Sequence, residues 1–220
     1  VKVLWELIVK DLRLEGRRKD LLAAIFLFSL VMTIILSVAI PAHAIPEGPI
    51  GAFWVTVFFT STFPFTRAFS REKDTGTLES LLLLPSDRGI LFLSKVGSNF
   101  ALFLFIVLVT GFFVVLLFNF PVTRELWQVF GLGLVAGLGI VIAGSFVGAL
   151  TVHTRGREIL LLVLLFPFLI PLFLAAVNAS LVLYQAAESA PLKSWAMVFA
   201  FFDLFMFAVM YLLFEWVIVE

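Results

Sequence analysis

The chain contains no cysteine, so thiol catalysis, disulfide scaffolding and thiolate metal sites are excluded together. Charge is also scarce. Asp, Glu, Lys and Arg make up 14% of the 220 residues, against about 25% in an ordinary soluble domain. So few charged side chains cannot easily coat a globule of this size, which excludes a soluble enzyme. The apolar share of 62% excludes a disordered chain. With two histidines, and neither an H-E-x-x-H nor a paired-carboxylate motif, there is little basis for catalysis. No G-x-x-x-x-G-K-[ST] occurs, so the chain does not bind ATP through a P-loop. Apolar surface is what is abundant: 27 phenylalanines and a mean hydropathy of +1.16. The composition calls for a membrane protein with several spans.

Runs almost free of charge occupy Leu21–Pro41, Ile50–Thr66, Val96–Phe118, Leu126–Val152, Ile159–Val177 and Trp195–Phe214. A helix needs about 20 residues to cross the hydrocarbon core. Backbone groups left in lipid must pair within their own segment, so these runs are expected to be helices. The stretch from Leu102 does not alternate polar with apolar residues, which removes a β-barrel. The expected fold class is all-α, a polytopic bundle of six transmembrane helices at about 21–41, 50–66, 90–118, 126–152, 159–177 and 195–217. Residues 1–20 precede this single transmembrane domain of 21–220. Ala42-His43-Ala44 resembles a signal-peptide cleavage site, but the apolar run before it is too long and five spans follow. With Val at position 1, there is room for residues upstream.

The net charge of zero hides a strong asymmetry. Counted by connection, 13 of the 15 Lys and Arg residues fall on the side of the N-terminus and two on the other. The positive-inside rule then places both termini in the cytoplasm.

On that side, Leu4, Trp5, Ile8 and Leu12 repeat every three or four residues, while Arg13, Arg17 and Arg18 supply charge. The pattern fits an amphipathic helix along the inner membrane surface, or a plain basic anchor. Residues 67–89 form the longest cytoplasmic connection. Charges crowd Arg71, Glu72, Lys73 and Asp74. Asp74 or Thr75 is placed to cap a short helix, Leu78, Leu81 and Leu82 share a face, and Pro85 ends it. The result is either a docking helix for a cytosolic partner or a loop folded back on its own spans.

The fourth span carries Gly133, Gly137, Gly144 and Gly148 in pairs four apart. Small residues let helices approach closely where lipid gives no drive to association. The contact lies within the bundle or across a homodimer, or else the glycines line a transport cavity or hinge. Pro167 and Pro171 kink the fifth span, and residues 181–194 are expected to dip back into the outer surface as a re-entrant hairpin. Asn99 and Asp203 are polar groups inside spans, where structural hydrogen bonding is the simplest role. His43, in the first outer loop, is either solvated or an axial contact to heme iron.

Three stretches together resemble the heme exporter protein B family, the membrane subunit of an ATP-binding-cassette complex for cytochrome c maturation. They are Lys10-Asp11-Leu12-Arg13-Leu14 through Arg17-Arg18-Lys19-Asp20-Leu21-Leu22, the run Phe69 to Pro85 containing Asp74-Thr75-Gly76-Thr77-Leu78-Glu79-Ser80-Leu81-Leu82, and Lys95-Val96. A wider class of six-span ABC-2-type permeases shares a looser version of the second. The resemblance implies a non-enzymatic permease subunit in the bacterial inner membrane, driven by a cytosolic ABC ATPase. Two copies would pair with two ATPase copies, beside a heme-handling membrane subunit and a small accessory subunit. The segment Asp74–Pro85 would be the coupling helix. Its leucines would give apolar contact, and Arg71, Glu72, Lys73 and Glu79 would set register. No cofactor is expected on the chain itself: ATP would sit on the partner, and heme would be substrate or cargo. The competing readings are an ABC-2-type permease for another substrate, a non-transporting scaffold of the heme-delivery complex and an ion-coupled carrier.

Overall fold

The computed structural model describes residues 2–17, 19–40, 47–77, 88–122, 124–152, 154, 156–185 and 192–217. Among these residues all regular structure is helical, in eight segments: α1 (Lys2–Arg17), α2 (Lys19–Ala39), α3 (Gly48–Arg67), α4 (Ser70–Asp74), α5 (Arg88–Leu117), α6 (Arg124–Thr151), α7 (Arg157–Gln185) and α8 (Leu192–Val217).

Five of them, α2 and α5 to α8, are long and apolar enough to cross a membrane. In α6, 67% of the apolar stretch is buried, against 22% in α2 and in α8. Thus α6 is a centre of the bundle, packed on α5, α7 and α8, while α2 and α8 turn broad faces outward. Val38, Phe201, Leu204 and Leu212 are among the exposed apolar side chains on those faces. Such surface suits lipid, not water.

The sixth expected span, α3, has the length but less apolar character, because it carries threonines, a serine and two prolines. It is also heavily buried, with Thr56, Thr60 and Ser61 fully enclosed. The Thr56 hydroxyl finds no hydrogen-bond partner among the described residues, while those of Thr60 and Ser61 are satisfied locally and across helices. Thr60 donates to the Thr56 carbonyl at 2.6 Å, Ser61 to that of Val57 at 2.6 Å, and Ser29 of α2 lies 3.4 Å from Thr60. Thr110 of α5 closes this group by donating to Ser29 at 3.3 Å. Trp54 donates its indole N–H to Ser180 of α7 at 2.9 Å. Polar contacts of this kind join helices where apolar surfaces alone give no preference.

Two expectations about element ends are corrected. The fifth span does not stop at Val177, and residues 181–185 are not the start of a hairpin: α7 continues to Gln185. The polar residues past Val177 are tolerated within it. Asn178 donates to the Leu174 carbonyl and Ser180 to the Ala176 carbonyl, each at 2.7 Å, so both are satisfied inside the helix. Pro167 and Pro171 are accommodated in the same continuous helix. At the N-terminal end, Lys19 and Asp20 belong to α2, where Asp20 sits in the first turn and meets the positive end of the helix dipole.

The turn after α5 requires one special residue. Asn119 has φ +48°, and the Phe120 N–H reaches the Val115 carbonyl at 3.1 Å. Asparagine tolerates this left-handed conformation better than most residues, which closes the helix end.

Candidate functional site

The densest polar structure lies where the chain leaves α3. Ala68 and Phe69 make a turn, and α4 follows for five residues. Ser70 donates its hydroxyl back to the Thr66 carbonyl, and Lys73 N–H bonds to the Phe69 carbonyl at 3.2 Å. Gly76, at φ +68°, then turns the chain in a conformation that side chains rarely adopt. Phe69 is fully buried and pins the turn to the bundle, its ring 5.8 Å from that of Phe214 in α8, which also meets Phe92 at 5.0 Å.

Glu72, on this short helix, is buried. Its carboxylate accepts a short charge-assisted hydrogen bond from Lys95 of α5. Lys95 Nζ also lies 2.9 Å from Asp11 Oδ2 of α1, an ion contact whose angles fall outside ordinary hydrogen-bond geometry. Lys10 completes the group, 3.0 Å from Asp11 and 3.7 Å from Glu72. Two cations thus face two anions, and Lys95 further rests 5.6 Å from the centre of the Phe69 ring. Lys95, Asp11 and Glu72 side chains are 5%, 10% and 8% exposed, whereas Lys10 is 37% exposed. Lys95 is therefore the enclosed hub and Lys10 an outer partner. Removing the enclosed Lys95 from such a set costs about 3–5 kcal/mol, because two desolvated carboxylates are left with only the outer Lys10.

Lys73 makes a second tie. Its ammonium donates to the Val152 carbonyl at 2.8 Å, just past the end of α6. A cation is favourable there, because carbonyls at a helix C-terminus lack partners. Through Glu72 and Lys73, five residues of α4 are joined to α1, α5 and α6. A narrow cleft of about 30 Å³ runs beside the charges, lined in part by Glu15, Arg67 and Asn99. The arrangement offers no nucleophile paired with a base; it can hold helices in register and take a load from one to another.

The sequence reading placed Glu72 and Lys73 among the groups that set register on a partner's surface. Both side chains turn inward instead, because each finds an opposite charge or an open carbonyl within its own fold. Asp74, Gly76 and Thr77 are exposed. Leu78, Glu79, Leu81, Leu82 and Pro85 lie outside the described residues, as do Arg18 and His43, and the side chains of Arg17 and Arg71 are likewise outside them.

On α1, Ile8 and Leu12 are half-buried and Arg13 is exposed. Ile8 packs on Gly97 of α5, where a Cβ would come within 2.7 Å of its terminal methyl. Trp5 departs from this docked face and is 66% exposed. Asp11, off the expected apolar stripe, is the more deeply buried residue because it turns toward Lys95.

The glycines of α6 meet neighbours within the same chain. Gly137 receives the Phe103 ring, Gly144 the Phe65 ring, and Gly148 the Phe65 carbonyl oxygen; Gly133 has ordinary contacts with Trp54 and Val107. Asn99 donates to Ser145 at 2.9 Å, joining α5 to α6. The Asp203 carboxylate lies against Gly139. Its buried Oδ1 is approached by the backbone there, which falls short of an ordinary hydrogen bond. No cluster of three His, Asp or Glu side chains able to hold a metal occurs among the described residues.

Sequence reasoning missed Asp11 and Lys95 as a pair. The available signal was the position of Lys95, a full charge several residues inside an otherwise apolar span, which demands a buried partner.

The family model described as CcmB protein matches residues 2–214. The match covers nearly the whole chain, so the chain belongs to the CcmB family, the heme exporter protein B family. It is a multi-pass membrane protein of heme transport. No curated protein matches the sequence.

Proposed function

We propose that this CcmB-family protein is the permease subunit of an ABC transporter that exports or delivers heme for c-type cytochrome maturation, with a separate cytosolic ATPase as its engine. One observation carries the reading. The N-terminal helix, the start of α5, the end of α6 and the residues leading into 78–87 converge at one end of the bundle, tied by Lys95 and Lys73. That end is also the one the basic residues mark as cytoplasmic. An apolar bundle with its charge gathered at one cytoplasmic end has one natural entry point for outside energy.

In this reading α3 is the sixth span, and both termini lie in the cytoplasm of a bacterial inner membrane. The coupling helix lies within residues 77–85 and does not begin at Asp74 as the sequence suggested, because Asp74 ends α4 and Gly76 turns the chain with φ +68°. Leu78, Leu81 and Leu82 seat in a groove of the ATPase, with Arg71 and Glu79 setting register. When ATP closes two ATPase copies, the segment moves and carries α3 and α5 with it. Two copies of the chain assemble with them, beside a heme-handling membrane subunit and a small accessory subunit. Heme is the cargo, and ATP is bound by the partner.

The test is co-purification from native membranes, with partners identified and bound heme read optically. Wild-type chain brings down an ATPase. The double variant Leu78→Asp/Leu81→Asp loses it while remaining folded in the membrane. Undiminished ATPase recovery with that variant contradicts the assignment.

A further inference from the structure

We infer that Lys95 is a positioning residue for energy coupling: it clamps α1, α4 and α5 into one rigid lever that moves as a unit. This rests on the ATPase-driven reading above and adds the part that receives the stroke.

The geometry is specific to one side chain. Lys95 on α5 reaches Asp11 on α1 at 2.9 Å and Glu72 on α4 by a short hydrogen bond, and it is almost fully enclosed. Breaking either contact leaves a carboxylate in a poorly solvated site with only the outer Lys10 beside it, so the three elements separate at a high cost. Apolar packing runs parallel to the ions. Ile8 fills the space at Gly97, and Phe69 lies beneath the Lys95 ammonium. Meanwhile α4 is too short to be stable alone, since isolated helices need roughly 12–15 residues. Its position is therefore set by what holds Glu72 and Lys73. A displacement of the neighbouring 78–87 segment reaches α5 and α1 through Glu72, and α6 through the Lys73 contact with the Val152 carbonyl. A loose joint at α4 would let the segment move without the spans following.

The test uses the assembled complex reconstituted in vesicles, reading ATP hydrolysis and heme delivery on the same sample. Lys95→Met retains hydrolysis and loses delivery by about 5- to 150-fold, the usual span of an intersite coupling. Lys95→Arg, which keeps the charge, restores most of it. If Lys95→Met does not fold, the triple variant Asp11→Asn/Glu72→Gln/Lys95→Met removes the stranded charges and takes its place, with the same expected loss of delivery. A second arm exploits the absence of native cysteine. Oxidised Ile8→Cys/Gly97→Cys bonds α1 to α5, and delivery persists if the unit is rigid.

Normal delivery by Lys95→Met or the triple variant overturns the inference. So does delivery that stops on oxidation of the cysteine pair and returns on reduction. Failure of the wild-type chain to bind any ATPase defeats the functional reading instead. In that event a thermal-unfolding cycle of Asp11→Asn and Glu72→Gln on the full chain in detergent decides the clamp, where non-additive effects support it and strict additivity refutes it.

Discussion

Gly148 and Gly131 stand on the same helix in opposite situations. A Cβ at Gly148 would lie 2.7 Å from the Phe65 carbonyl oxygen, a backbone atom that cannot step aside, whereas a Cβ at Gly131 meets nothing within 4 Å. Gly148→Ala therefore destabilises by about 1–3 kcal/mol through overpacking, while Gly131→Ala is neutral or gains up to about 1 kcal/mol from helix propensity. Unfolding in detergent checks the pair, and equal effects at both sites would refute the packing argument. The four-residue spacing of glycines made close approach legible in the sequence, but the partner was not. Nothing in the order of residues says that Phe65 and Phe103 occupy the space, because those contacts form between distant segments. The same holds for Asp11. Nothing in the sequence gives it a partner, and only the fold brings Lys95 to it.

At the scale of the element, long apolar runs announced themselves, because a run of about 20 apolar residues has few alternatives. Four helices start within about three residues of those runs, whereas α5 starts at Arg88, well before Val96, and takes in Lys95. The end of α7 was not legible, since the apolar run stops at Val177 while Asn178 and Ser180 satisfy their side chains within the continuing helix. Helix α3 is the informative case. Its hydroxyls lower its apolar character, and the same hydroxyls are enclosed by neighbours and so need not meet lipid. That burial predicts that α3 crosses the membrane in full. Single cysteines in the cysteine-free chain test it. An impermeant maleimide should label Glu47→Cys from the outer side of intact cells, and Thr77→Cys only after permeabilisation. Labelling of both from one side would show that α3 does not cross.

At the scale of the whole molecule, the charge scarcity noted in the sequence becomes an arrangement. The bundle spends its few buried ions at one end, where α4 is held between α1, α5 and α6. The basic asymmetry marks that end as the one expected to be cytoplasmic. Its internal wiring was not legible, because Glu72 and Lys73 read equally well as surface charges until the fold supplies their partners. In the proposed function this end receives work from ATP hydrolysed elsewhere. The most direct measurement is heme delivery by the complete complex in sealed vesicles, with ATP and then with a non-hydrolysable analogue on the side of residues 67–89. Delivery that stops with the analogue is the predicted result; delivery at an unchanged rate would contradict it.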